Sequence, residues 1–251
     1  MKAIELYRKD IYKGCLVLVN RDHPIHDDFY YSTKMLPINS ASNDILLELK
    51  ASILLGQLLK SIDHQNEIIP VSGFRTSQEQ EKIYDESLMM NGEVFTNKYV
   101  ALPNRSEHQT GLAIDLAKKA NHIDFIRPEF PYTGVCGVFR KKATSYGFIE
   151  RYKKEKEQYT GISYEPWHFR YIGYPHAQIL QDYGLSLEEY ILFIKNFPYE
   201  GKHFIKYQHA KLFEIFYVPA TSDNTTIHLS EDDCYQISGN NVDGFIVTIW
   251  R

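Results

Sequence analysis

Three short segments of this chain carry side chains able to do hydrolytic chemistry. The first is Ser72-Gly73-Phe74-Arg75, where the apolar run Ile68-Ile69-Pro70-Val71 ends and a helical pattern begins. A glycine at that corner lets the backbone turn sharply and delivers an arginine there. The second is Ser106-Glu107-His108-Gln109-Thr110-Gly111-Leu112-Ala113-Ile114-Asp115. Read as a strand, Leu112, Ile114 and Leu116 face one side, and Ala113 and Asp115 face the other. A carboxylate beside a core needs a partner, because an unpaired buried one is costly. The small Ala113 leaves room next to it for an ion or a substrate. His108, ahead of Gly111, can fold back towards Asp115. The third segment is Glu165-Pro166-Trp167-His168-Phe169-Arg170-Tyr171. His168 lies mid-strand with Glu165 three residues before it, which a regular strand would place on the opposite face. Pro166 breaks the ladder and can bend the entry, so that both side chains meet in one space.

Taken singly, each segment also fits an ordinary structural role: a surface arginine, an Asp–His bond tying loop to strand, a satisfied core histidine. Taken together they match a catalytic zinc site. Two histidines and an aspartate, His108, Asp115 and His168, are a standard Zn²⁺ donor set that leaves a fourth position for water. Glu165 supplies a base for that water. Arg75 supplies positive charge for a developing oxyanion. HExxH is absent, so the site is not that of a helix-borne zincin. Cys15, Cys136 and Cys234 stand far apart with no CxxC pair, which excludes a cysteine zinc knuckle or dithiol redox motif.

The elements that must position these residues read as α+β. The periodicity predicts a strand at Leu16–Val19. It then predicts a helix from near Asp44, capped by Ser42 or Asn43, with Leu46, Leu47, Ile53, Leu54, Leu58 and Ile62 as its apolar stripe. A short strand follows over 68–71. Thr76 or Ser77 caps a helix over 78–90, with Glu79 and Glu81 in its first turn. Residues 92–105 read as a loop, 112–117 as a strand, and 118–136 as an irregular crossing. A helix is expected over 139–146, a strand over 164–171 and a helix over 185–197 with Ser186 as its cap. After Pro198 the texture changes to strands at 211–218, 225–229, 234–238 and 244–250, separated by turn residues. The expected organisation is a catalytic domain over 1–197 and a small β-rich accessory unit over 198–251, dispensable for the chemistry.

The chain has 251 residues and a net charge of -4, which argues against a dedicated nucleic-acid binder. Charges recur too often near the N-terminus for a signal peptide, and no apolar run is long enough to span a bilayer. These features predict a soluble, cytoplasmic protein without a membrane anchor.

SGFR, SxHxxGxAxD and ExxH, in that order, resemble the D-Ala-D-Ala zinc metallopeptidases of the VanX/VanY type. That group also includes the lysostaphin-like and hedgehog-fold zinc peptidases. The resemblance covers roughly residues 10–190 and implies an antiparallel sheet flanked by helices. It implies Zn²⁺ on His108, Asp115 and His168, with Glu165 as general base and later as the acid for the leaving amine. By the same resemblance Arg75 stabilises the tetrahedral intermediate, and Ser106 and Gln80 help hold the substrate's terminal D-alanine. The lack of an anchor makes the chain similar to the soluble bifunctional VanXY type. Those enzymes take terminal D-alanine from cytoplasmic wall precursors and split free D-Ala-D-Ala, which removes the target of vancomycin. Two other readings remain on the same fold: a peptidoglycan endopeptidase of the endolysin type, and a non-catalytic module with a structural metal. The tail lacks the basic excess of a wall-binding module, and a structural zinc would need neither Glu165 nor Arg75.

Overall fold

The computed structural model describes residues 1–26, 34–38, 44–208 and 210–251. Along the chain run strands β1 (Lys2–Tyr7), β2 (Met35–Pro37) and β3 (Leu46–Glu48), helix α1 (Leu49–Lys60), strand β4 (Ile68–Ser72) and helix α2 (Ser77–Tyr99). Strand β5 (Ala113–Lys118), α3 (Gly134–Ala143), β6 (Phe148–Tyr152), α4 (Glu157–Thr160), β7 (Glu165–Tyr171), α5 (His176–Tyr183) and α6 (Leu187–Ile194) follow. The last strands are β8 (Phe204–Gln208), β9 (Lys211–Pro219), β10 (Asn224–Leu229), β11 (Cys234–Gly239) and β12 (Gly244–Trp250). Two compact units result. The larger takes in Val19–Ile25 and the chain up to Ser186; the smaller joins Met1–Leu18 to Leu187–Arg251.

The larger unit is built on an antiparallel sheet of order β4-β5-β7-β6. Its central strands β5 and β7 are buried along almost their whole length. Pro70 is tolerated because β4 is an edge strand, and the β4–β5 register shifts beside it. Phe130, Phe139 and Phe169 meet edge to face at 4.9–5.6 Å, which fixes α3 and the preceding loop on the sheet. Helix α1 starts at Leu49, later than the expected Asp44, because Leu46–Glu48 pairs with Met35–Pro37. Glu48 caps it by accepting from the Lys50 and Ala51 amides at 2.8 and 3.1 Å. The expected caps Ser42 and Asn43 lie outside the described residues. The buried stripe runs through Ala51, Leu55, Leu58 and Leu59, and Ile53 is exposed.

Thr76, one of the two expected caps, opens α2 and forms a reciprocal capping box with Glu79. The helix then continues where a loop was expected. Gly92, at a left-handed φ of 77°, makes a kink rather than a stop. Beyond it a buried Ser87–Thr96 hydroxyl pair at 2.8 Å and Phe95 against Tyr99 hold the second segment. Helix α3 begins at Gly134, ahead of the expected 139, and α5 has no counterpart in the sequence reading. Leu16–Val19 is buried but forms no strand. Within the smaller unit its amides are taken singly, Leu16 by Ser238 Oγ at 2.9 Å and Leu18 by the Asn240 carbonyl at 3.0 Å.

In the smaller unit a sheet of order β11-β12-β9-β8 accompanies a separate β1–β10 pair. Leu6 and Ile11 are buried in one cluster with Phe216, Val218, Ile227, Phe245 and Val247. The boundary therefore falls at Ser186/Leu187 and not at 197/198, and the N-terminal strand belongs with the tail. Nothing local in β1 announces a partner more than two hundred residues away. Ending the chain at Phe197 would strip β1 of β10 and Leu6 and Ile11 of their partners. Each such apolar side chain contributes roughly 1.5–3 kcal/mol when buried. The truncated chain is expected to aggregate and to bind a hydrophobic dye. A soluble, dye-silent truncation product would show the tail to be dispensable after all.

Candidate metal centre

The three sequence motifs meet in the larger unit, stitched by backbone contacts. Gly73 is required by close approach, not by an unusual φ: a Cβ there would overlap the Leu46 carbonyl. That carbonyl accepts from the Phe74 amide at 2.7 Å. The Gly73 carbonyl accepts in turn from His108 Nδ1 at 2.8 Å, and the Arg75 amide donates to the His108 carbonyl at 3.3 Å. His108 sits on a single 3-10 turn, Glu107–Thr110. Gly111 ends that turn at a left-handed φ of 69°, where a side chain would strike Met35. The turn thus carries His108 back over β5, as the motif predicts.

Asp115 and His168 are direct cross-strand partners in β5 and β7. Asp115 Oδ2 lies 3.1 Å from His108 Nε2, and Oδ1 lies 3.0 Å from His168 Nδ1. Glu165 reaches the same space, its Oε2 3.8 Å from His168 Nδ1. The strand-parity conflict is resolved by a register shift: Glu150 opposes Phe169, while Tyr152 opposes Glu165. More residues lie on the β7 side of that interval than on the β6 side, a bulge that re-aims the glutamate.

Burial works against the ionised form of Asp115, but His108 and His168 hold its carboxyl well below the usual carboxylate range. Burial and the nearby Arg75 bring His108 down to about 4. Burial alone would depress His168; the carboxylates of Asp115 and Glu107 instead push it up to about 9. Glu165 is pushed up to about 8, first by burial, with Asp115 adding to the effect against His168 and Arg75. Burial also lowers Arg75 against the pull of Asp115 and Glu165, though a guanidinium stays charged.

A cavity of about 50 Å³ opens on these groups, walled by Tyr99, Phe125, Tyr152, Ile162 and Trp167. Ser106 and Gln80 line it too, so every expected site residue is present. Three buried atoms without a hydrogen-bond partner among the described residues border it: Arg75 Nε, Gln80 Oε1 and Asp115 Oδ1. Buried polar atoms of this kind are rare unless a ligand completes them. His108, Asp115 and His168 offer donor atoms that all lie within 4.8 Å of one another. Two imidazole nitrogens and one carboxylate oxygen suit zinc with an open fourth position. Asp115 Oδ1 and His168 Nδ1 approach to 3.0 Å without hydrogen-bond alignment.

Sequence reasoning missed Glu107, Arg151, Arg170 and Tyr152. Glu107 is wholly buried and accepts from Arg151 Nε and Arg170 Nη1, both at 2.8 Å. Tyr152 places its ring 4.8 Å from that of His168. The available signal was strand parity: Arg170 follows His168 by two residues and so shares its face.

The sequence model of the VanY family, D-alanyl-D-alanine carboxypeptidase, matches residues 45–174. The chain is 38% identical over 176 residues to the bifunctional D-Ala-D-Ala dipeptidase and D-Ala-D-Ala carboxypeptidase VanXYC of Enterococcus gallinarum, covering 70% of this chain and 92% of that one. Among solved structures, the vancomycin resistance D,D-dipeptidase VanXYg in complex with a D-Ala-D-Ala phosphinate analogue shares 52% identity. The match spans 100% of this chain and 99% of that one, with a TM-score of 0.96. A mutant D,D-pentapeptidase VanY from a VanB-type resistance cassette, in complex with Zn(II), is 30% identical with a TM-score of 0.57, covering 70% of this chain and 98% of that one. The fold, the converging motifs and these likenesses agree: the chain belongs to the VanY family of D-alanyl-D-alanine carboxypeptidases, an enzyme of the VanX/VanY type.

Proposed function

We propose that this enzyme uses zinc to hydrolyse D-Ala-D-Ala, both as the free dipeptide and at the end of muramyl pentapeptide precursors, and so contributes to vancomycin-type resistance. The observation that carries this reading is the convergence of His108, Asp115, His168, Glu165 and Arg75 on one buried cavity. The full-length likeness to VanXYg and the kinship with bifunctional VanXYC support the choice of substrate and the double activity. No helix among the described residues is long and apolar enough to cross a membrane, which is compatible with work on cytoplasmic precursors.

Zinc held by His108, Asp115 and His168 would acidify a water and polarise the scissile carbonyl. Glu165 takes the proton of the attacking water on its carboxylate and returns it to the leaving D-alanine amine. A carboxyl whose burial brings its pKa near 8 can do both close to neutral pH. Arg75 faces the same space and stabilises the oxyanion as charge moves onto it. Gln80 donates through Nε2 to the Ala101 carbonyl at 2.7 Å, which fixes its orphan Oε1 towards the substrate. Ser106 adds a hydroxyl on the same wall, and Tyr152 and Trp167 keep bulk water out. All of these residues lie in the larger unit, to which we assign the chemistry; the smaller unit is accessory.

The test is kinetics on D-Ala-D-Ala, a muramyl pentapeptide and the D-Ala-D-Ser analogues, with chelator-treated enzyme as control. Hydrolysis of both D-Ala-D-Ala substrates is expected, and it should cease when zinc is removed. A preference of about 10²-fold over D-Ala-D-Ser is expected, because a pocket shaped for a methyl rejects an added hydroxyl only weakly. Equal kcat/KM for the two termini would point to a general D,D-carboxypeptidase. Cleavage of polymeric wall alone would point to an endopeptidase.

A further inference from the structure

Glu107 stands next to one metal-donor histidine in sequence but serves the other in space. Its Oε1 accepts from both buried arginines, Arg151 of β6 and Arg170 of β7, each at 2.8 Å. Its Oε2 turns instead to His168 Nε2, 3.4 Å away. A carboxylate whose only task was to neutralise arginine would do better in a two-point fork with one guanidinium. Here both arginines share one oxygen and the second is presented to the imidazole. Both guanidinium groups donate to this carboxylate, so it meets Nε2 as an acceptor. An acceptor facing Nε2 favours the tautomer with the proton there, which would leave Nδ1, 3.0 Å from Asp115 Oδ1, as the nitrogen offered to a metal. His108 reaches the complementary state by another route, its Nδ1 being hydrogen-bonded to the Gly73 carbonyl at 2.8 Å. The two rings thus offer opposite nitrogens to one point, at an interplanar angle of 86°.

We propose that Glu107, clamped by Arg151 and Arg170, is a positioning residue that fixes the tautomer and ring orientation of His168 so that Nδ1 is delivered to the metal. The inference rests on the zinc reading above. A carboxylate behind a metal-bound histidine also raises the basicity of the ligand nitrogen, and loss of such a partner typically weakens metal binding about 10–100-fold. Glu107→Gln is the informative change, because it keeps the shape while replacing the fixed acceptor with an amide that can present a donor to Nε2.

The experiment measures zinc affinity by chelator competition for the full-length wild type and for Glu107→Gln. It adds the visible spectrum of the cobalt-substituted forms and ¹⁵N-histidine NMR of the zinc-loaded wild type. The variant is expected to bind zinc about 10–100-fold more weakly, with an altered cobalt spectrum. In the wild type, His168 is expected to carry its proton on Nε2 with the metal on Nδ1. The NMR result stands even where the variant fails to fold. A folded variant with unchanged zinc affinity, or a wild type with His168 protonated on Nδ1, would overturn the positioning role while leaving the zinc reading intact. A wild type that binds no zinc would overturn both.

Discussion

Glu165→Ala will leave the fold and the bound zinc in place and lower kcat by about 10²–10⁴, the usual contribution of a general base. The side chain is buried beside His168 without being needed as a donor: His108, Asp115 and His168 form the cluster on their own. Nor does the fold depend on the glutamate's charge. Burial raises its pKa to about 8, so its environment disfavours the ionised form that catalysis requires. A group kept at a cost to stability is typical of a working site, and its removal commonly leaves the protein as stable or more so. Thermal unfolding, metal analysis and steady-state kinetics on the same preparation separate these effects. A variant retaining near wild-type kcat would mean that another group activates the water. A variant without zinc would move Glu165 into the donor set.

The candidate site was legible because its chemistry is written in contiguous segments. Ser106 to Asp115 holds a turn residue, a donor, a left-handed glycine and a second donor within one turn–strand unit, so short-range rules suffice. Glu165 was harder, since strand parity placed it on the wrong face. Only the β-bulge opposite Glu150–Tyr152, a property of the pairing and not of β7 alone, brings it round. Glu107 was invisible for a related reason. Its partners come from β6 and β7, and a glutamate beside a histidine looks like surface until two arginines are found buried against it. The same divide runs through the fold. Strands β9, β10, β11 and β12 were evident from alternation and turns. The pairing of β1 with β10 was not, because register between distant segments is set by a shared core that no local pattern encodes. Helix α2 is interrupted at Gly92, whose backbone is not helical, and the buried hydroxyl pair of Ser87 and Thr96 joins the segments on either side, a contact between side chains nine residues apart that glycine propensity alone does not encode.

Arg75→Lys will lower kcat more than it raises KM, although the charge is conserved. The guanidinium is buried and its Nε has no hydrogen-bond partner among the described residues, which leaves one arm of a planar donor fork for a ligand. Lysine offers a compact ammonium on a flexible stem and cannot present two donors in that plane. In the ground state the carbonyl oxygen of the substrate carries little charge, and an ammonium serves it nearly as well. In the transition state the charge concentrates on that oxygen, and the missing donor is felt there. Removing one oxyanion donor typically costs about 10²–10³ in kcat. Lysine retains the charge, so the lower end of that range is expected. Position matters as much as chemistry: the Arg75 amide is tied to the His108 carbonyl at 3.3 Å, so the corner that carries the arginine moves with the metal-donor turn. Zinc affinity should therefore be unchanged, because the substitution leaves the backbone tie in place. A loss confined to KM would assign Arg75 to the ground-state carboxylate of the terminal D-alanine instead, since uniform binding alters KM alone. The oxyanion would then depend on the metal without help from the arginine.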